Sequence, residues 1–158
     1  MSAELTIQKL LTQAEQLLHE AGIETPRLDA EILLARVLDK SRTYLLTWPE
    51  RQVSLQEASS FQKGLDRRQR FEPVAYILGD QEFYGHLFHV SPAVLIPRPE
   101  TEHLVEKALQ WCRGQNVDQP SILDLCSGSG CVGLSIALEL PGARVTLSEL
   151  SPEAAAVA

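Results

Sequence analysis

The run Ile122-Leu123-Asp124-Leu125-Cys126-Ser127-Gly128-Ser129-Gly130-Cys131-Val132-Gly133 constrains this chain more than any other stretch. An apolar, strand-like segment ends in an acid and passes into glycines that open a helix. Glycines suit that corner because the backbone must turn sharply and let a ligand approach the main chain with no Cβ in the way. Roughly 20 residues beyond the loop, Glu149 follows Val145-Thr146-Leu147-Ser148, where a second parallel strand delivers a carboxylate to ribose hydroxyls. The pair of signals points to a nucleoside-bearing cofactor seated at a helix N-terminus. Gly128, Gly130 and Gly133 also satisfy the dinucleotide spacing G-x-G-x-x-G, so an NAD-dependent oxidoreductase is an alternative reading. Asp124 and the upstream segment Leu95-Ile96-Pro97-Arg98-Pro99-Glu100-Thr101-Glu102 speak against it, since a dehydrogenase needs neither.

The rest of the chain reads as a helical front joined to an α/β back. Ile7, Leu10, Leu11, Ala14, Leu17, Leu18 and Ala21 recur at three- and four-residue intervals, and Gly22 stands where a left-handed cap is expected. Thr25-Pro26 begins a second helix through Ile32, Leu34, Ala35 and Leu38, and Ser54-Leu55-Gln56-Glu57 has capping-box spacing before a third. Residues 1–72 are therefore expected to form a helical bundle. Residues 73–98 are richer in β-branched and aromatic residues and read as a β-hairpin connector turning at Gly85-His86. From 99 to 158 the pattern is helix, strand, glycine loop, helix, strand and the start of another helix capped by Ser151-Pro152.

Charge sharpens the division. Residues 1–72 carry 10 Lys/Arg against 11 Asp/Glu, and residues 73–158 carry 4 against 10, within a net charge of −7. That acidity argues against direct nucleic-acid binding, which draws on Lys and Arg releasing counterions. The basic cluster Arg67-Arg68 with Arg70 reads as a solvated helix end. No apolar run is long enough to span a membrane, and Met1-Ser2-Ala3-Glu4 does not begin a secretory signal, so no membrane partner and a cytoplasmic location are expected. Cys112, Cys126 and Cys131 read as reduced thiols, and His86 and His89 lack the neighbours of a metal site; no metal is expected. The last helix carries no stop signal and two parallel strands leave unpaired edges, which reads as the front portion of a longer protein.

Three segments together, Gly79-x-x-Glu82-Phe83-Tyr84-Gly85, Leu95 to Glu102 and Ile122 to Cys131, closely resemble the bacterial PrmC/HemK protein-glutamine N(5)-methyltransferases. Glu24-Thr25-Pro26-Arg27-Leu28-Asp29-Ala30-Glu31 resembles the release-factor branch more than the sister enzymes that modify a ribosomal protein. The resemblance implies an α/β fold: a helical release-factor-binding domain over 1–72, a connector over 73–98, and over 99–158 the first part of a Rossmann-like class I S-adenosylmethionine-dependent methyltransferase domain. It implies methyl transfer from S-adenosyl-L-methionine to the glutamine amide of the Gly-Gly-Gln motif of peptide chain release factors, a step in translation termination. Cys126, Ser127, Gly128, Ser129 and Gly130 would line the cofactor's methionine and ribose side, and Glu149 would take both ribose hydroxyls. Asp124 would orient the loop and the methionine ammonium, with Arg98, Thr101 and Glu102 bordering the pocket.

Two departures stand out. Many members have glycine where this chain has Cys126, so a negative φ is expected there. The family's Asn-Pro-Pro-Tyr motif, which holds the substrate amide, is absent from all 158 residues. No catalytic residue is therefore expected within the chain, which by itself should turn over little or not at all. A non-catalytic chain whose helical bundle still binds a release factor is the remaining alternative.

Overall fold

The computed structural model describes residues 5–115 and 119–158; the Met1–Glu4 stretch read above for a signal lies outside them. The chain divides into two compact units, Met1–Leu78 and Gly79–Ala158.

The first unit is helical: α1 (Ile7–Glu20), α2 (Pro26–Leu38), α3 (Arg42–Thr47), α4 (Leu55–Arg68) and α5 (Val74–Leu78). Its helices begin where the side-chain chemistry dictates. The Thr6 hydroxyl accepts the Lys9 N–H, and Ser54 and Glu57 close a reciprocal capping box. Pro26 opens α2, where a missing N–H costs nothing. Ile7, Leu11, Leu18, Leu34, Leu45 and Phe61 form the centre of one apolar core. Helix α5 was not foreseen, because it lies in the stretch whose β-branched content predicts strand. Val74, Ile77 and Leu78 pack against the helical core instead, so tertiary burial overrides local preference there. The six-residue α3, held by the Ser41 cap, was also missed, being too short to show a helical period.

Two buried acids tie this unit together. Glu31 accepts from Arg27 at 2.7 Å and from Arg42 at 2.8 Å. Asp29 accepts from Arg68 at 2.7 Å and from the Thr25 hydroxyl at 3.0 Å. Burial pushes the Glu31 carboxyl up, but the Arg42 and Arg27 guanidiniums more than offset it and hold the group below the usual carboxylate range. The basic cluster is a solvated helix end except at Arg68. Arg68 is half-buried and bound to the buried Asp29 at 2.7 Å, whereas Arg67, bound to Glu72 at 2.6 Å, and Arg70 stay exposed.

The second unit contains a hairpin of β1 (Asp80–Phe83) and β2 (His86–His89), a 3₁₀ turn over Pro99–Thr101, α6 (Glu102–Gly114), β3 (Ser121–Leu125), α7 (Cys131–Glu139), β4 (Arg144–Ser148) and α8 (Pro152–Ala155). The hairpin pairs Phe83 with His86, which places its turn at Tyr84-Gly85, one residue earlier than expected. Both turn residues have positive φ, 52° and 74°, as a type I′ turn requires. Strands β3 and β4 pair in parallel, Asp124 opposite Leu147 and Leu125 opposite Ser148. Ile122, Asp124, Val145 and Leu147 alternate with the exposed Leu123, Leu125, Thr146 and Ser148. Phe83, Phe88, Val105, Leu109, Cys131 and Ile136 make up this unit's buried core.

Candidate cofactor site

The candidate site is built where β3 stops. The parallel ladder brings the ends of β3 and β4 side by side, and the loop between β3 and α7 is fastened there by main-chain donors. The Ser127 N–H donates to the Ser148 carbonyl at 3.1 Å, and the Gly130 N–H to the Ser127 carbonyl at 2.8 Å. The Gly128 N–H donates to Glu149 Oε2 at 2.9 Å. Strand pairing and one carboxylate thus unite Cys126, Ser127, Gly128, Ser129, Gly130 and Glu149 around one corner.

Asp124 acts on the helix. Its Oδ2 accepts the N–H of Gly133 at 2.9 Å, capping the third residue of α7. The close approach leaves no room for a side chain. A Cβ at Gly133 would lie 2.5 Å from Leu147 Cδ2 and 2.9 Å from Asp124 Oδ2. The third glycine of the spacing is therefore explained by helix-to-sheet packing, a need that the sequence pattern shares with dinucleotide folds.

Glu149 is more heavily engaged than the sequence suggested. Besides Gly128, it accepts the Leu150 N–H at 2.8 Å and the Ser151 N–H at 3.1 Å through Oε1. The main-chain donors of Ser151, Gly128 and Leu150 hold its carboxyl below the ordinary range. The anion is kept charged and oriented over the loop.

Cys126 corrects an expectation. Its φ is +61°, in the left-handed region, and not negative as a small thiol there was expected to require. Only glycine takes that conformation without cost, so the chain carries strain of about 1–2 kcal/mol at this corner. The loop's course is imposed by its tethers to β4 and not by the preference of the residue. The thiol itself is exposed, whereas burial pushes the Cys131 thiol up.

The upstream segment, Arg98, Thr101 and Glu102 included, is not tied to the glycine loop by a hydrogen bond among the described residues. Arg98 is extended (φ −100°, ψ 139°) and exposed, and it leads into the 3₁₀ turn that carries Thr101. Glu102, at the start of α6, accepts the Tyr84 N–H at 2.9 Å. The part of Tyr84 in this arrangement could have been sought in the Glu-Phe-Tyr-Gly string, but its main-chain donor carries no sequence signal.

The arrangement fits a nucleoside-bearing cofactor on its own geometry. Gly128 and Gly130 hold positive φ of 55° and 73°, and a Cβ at Gly130 would meet Leu134, Leu147 and Ala158 within 3.2 Å. The nine-residue α7 opens directly behind the loop.

Comparison with known proteins agrees with this layout. A family described as PrmC N-terminal domain matches residues 9–79, and one described as lysine methyltransferase matches residues 98–157. A release factor glutamine methyltransferase of Koribacter versatilis is 43% identical over 154 residues, covering 98% of this chain and 54% of the relative. Its counterpart in Vibrio cholerae is 45% identical over 154 residues, with 98% and 53% covered. A bifunctional methyltransferase of Rickettsia bellii is 37% identical over 179 residues, with 98% and 32% covered. The chain spans about half the length of the curated release factor relatives it matches. Across both units the chain is thus similar to the release factor glutamine methyltransferases.

Proposed function

We propose that this chain supplies the S-adenosylmethionine-binding corner of an enzyme that methylates the glutamine side-chain amide of the Gly-Gly-Gln motif in peptide chain release factors. The observation that carries the reading is the bond from the Gly128 N–H to Glu149, which brings the second strand's acid onto the glycine loop. In this reading Cys126 to Gly130 bound the methionine and ribose side, Glu149 takes the ribose diol, and Asp124 sets the loop by capping α7. Arg98 and Thr101 border the pocket more distantly. The match of residues 9–79 supports assigning release-factor binding to the helical unit, with the proposed segments 1–72, 73–98 and 99–158 as bundle, connector and cofactor domain. A cytoplasmic setting follows from the substrate.

When bound, S-adenosylmethionine supplies an already activated methyl group. The protein's share is positioning. An amide nitrogen is a poor nucleophile because its lone pair is delocalised into the carbonyl, so the enzyme has to hold it in line with the methyl group and out of conjugation. On the cofactor side, fixed groups such as the anchored Glu149 orient without reorganisation. Holding the acceptor amide falls to the Asn-Pro-Pro-Tyr segment, which the 158 residues do not contain, so these residues alone are proposed to bind cofactor and to transfer methyl little or not at all.

Calorimetric titration of the 158-residue chain with S-adenosylhomocysteine and, separately, with NADH tests the cofactor. Binding of the first and not of the second is the expected result; the reverse would establish the oxidoreductase alternative. Labelled-methyl transfer to a release factor by these residues alone would overturn the assignment of the acceptor site to a segment outside them.

A further inference from the structure

We infer that Glu102 is a positioning residue of the proposed transfer site, holding the β1–β2 turn through the Tyr84 N–H and thereby fixing the wall of a cleft that reaches the glycine loop. The inference rests on the methyltransferase reading for its purpose, but on its own geometry for its mechanism. In the hairpin, Phe83 and His86 form the closing pair, so the ladder has no acceptor for the Tyr84 N–H. Glu102, 18 residues further on, fills that need at 2.9 Å. The turn needs holding because Tyr84 sits at φ 52°, a conformation that side-chain-bearing residues rarely adopt.

What the turn positions is the strand that follows. His86, Phe88 and His89 of β2 line one side of a cavity of about 540 Å3, with Leu134 and Leu138 of α7 opposite and Ser129 of the glycine loop at its margin. A carboxylate on the first residue of α6 thus links the helix start to the hairpin, and the hairpin to the surface beside the loop. The half-buried Glu102 makes no bond to the loop itself, which separates it from Glu149 and Asp124.

The test uses the 158-residue chain and the variants Glu102→Gln and Glu102→Ala. Amide exchange at Tyr84 is read against the core amides of Val105 and Leu109, so that a general loss of folding is not mistaken for a local one. Glu102→Ala is expected to speed Tyr84 exchange by about tenfold or more, because a charge-assisted bond is lost, while Glu102→Gln keeps an oxygen acceptor and stays within about threefold. S-adenosylhomocysteine affinity should fall by about threefold or more in Glu102→Ala, where the turn is released, and Glu102→Gln, which keeps the acceptor, should lie between it and the parent chain. Unchanged Tyr84 exchange in Glu102→Ala would overturn the inference. So would an approximately tenfold affinity loss in Glu102→Gln with Tyr84 still protected, which would make Glu102 a cofactor ligand. A wild-type chain that binds no S-adenosylhomocysteine overturns the methyltransferase reading instead, and exchange at Tyr84 still decides what Glu102 holds.

Discussion

Replacing Gly133 by alanine should destabilise the second unit, although the same change in an ordinary helix stabilises it. Gly133 is the third residue of α7, and alanine in place of glycine inside a helix is worth about 1 kcal/mol in favour of folding. Against that stands a Cβ placed 2.5 Å from Leu147 Cδ2 and 3.1 Å from Asp124 Cβ. Neither neighbour is free to retreat, since Leu147 lies in β4 opposite Asp124, and Asp124 holds the Gly133 N–H. Overpacking of this kind costs about 1–3 kcal/mol, and loss of the Asp124 cap about 1 kcal/mol more. The balance is a loss of about 1–3 kcal/mol. Gly64 in α4 supplies the control. Its added Cβ would meet Leu33 at 3.5 Å and Ile77 at 3.8 Å, which is ordinary contact, so Gly64→Ala should stabilise the helical unit by up to about 1 kcal/mol. Urea titrations in single-tryptophan backgrounds, Trp48 reporting one unit and Trp111 the other, separate the two effects. A Gly133→Ala chain as stable as the parent would refute the packing argument.

Cys126→Gly should stabilise the second unit by about 0.5–1 kcal/mol, relief of left-handed strain outweighing the flexibility of glycine in the unfolded chain, as read from the urea midpoint; a lower midpoint would count against strain at that corner. Ser135 is fully buried and its hydroxyl has no partner among the described residues, so Ser135→Ala should stabilise the second unit by about 1 kcal/mol, and a lower urea midpoint would mean that the hydroxyl is bonded after all. Glu31→Gln should cost the helical unit about 1–3 kcal/mol near neutral pH. Because the folded carboxyl lies below its usual range, the stabilisation is present above the unfolded-state value and fades as pH falls through the folded one. The gap between parent and variant should therefore close on acidification, and a gap that widens would refute the ion-pair assignment.

The sequence was most informative where a single local rule decides the outcome. Ser54 with Glu57 and Ser151 with Pro152 mark helix starts that the structure contains, because caps act within one turn, and Pro26 marks the start of α2 although the Thr25 hydroxyl donates to Asp29 instead of capping. The strand, glycine loop, helix and strand order was legible for a similar reason, since apolar runs and glycines report burial and turning directly. Three features were not. Helix α5 forms because Val74 and Ile77 find an apolar core provided by distant helices, and no window of sequence contains that core. The turn at Tyr84-Gly85 shifts by one residue because positive φ can be imposed on a tyrosine when its N–H has a distant acceptor. Cys126 takes a glycine-like φ because the loop is fastened at Ser127 to β4 and at Gly128 to Glu149 just beyond it, a constraint written in strand pairing and not in the thiol.

The acceptor capacity of Glu149 sets a last expectation. A carboxylate offers about four lone-pair positions, and three main-chain donors, Gly128, Leu150 and Ser151, already use this one. Two ribose hydroxyls need two acceptor positions, so a diol held by both cannot simply be added. One existing bond has to lengthen or be shared. Leu150 and Ser151 are the next two residues in the chain and both bond Oε1, whereas Gly128 reaches Oε2, the oxygen with a position to spare, from 21 residues away. The Gly128 bond is therefore the one that yields, and cofactor binding and the loop's tether oppose each other at a single oxygen. Saturation with S-adenosylhomocysteine should shift the Gly128 amide resonance and raise its exchange relative to Gly133, whose bond to Asp124 is untouched by the diol. A Gly128 amide that stays put at saturation would mean that Glu149 takes one hydroxyl at most.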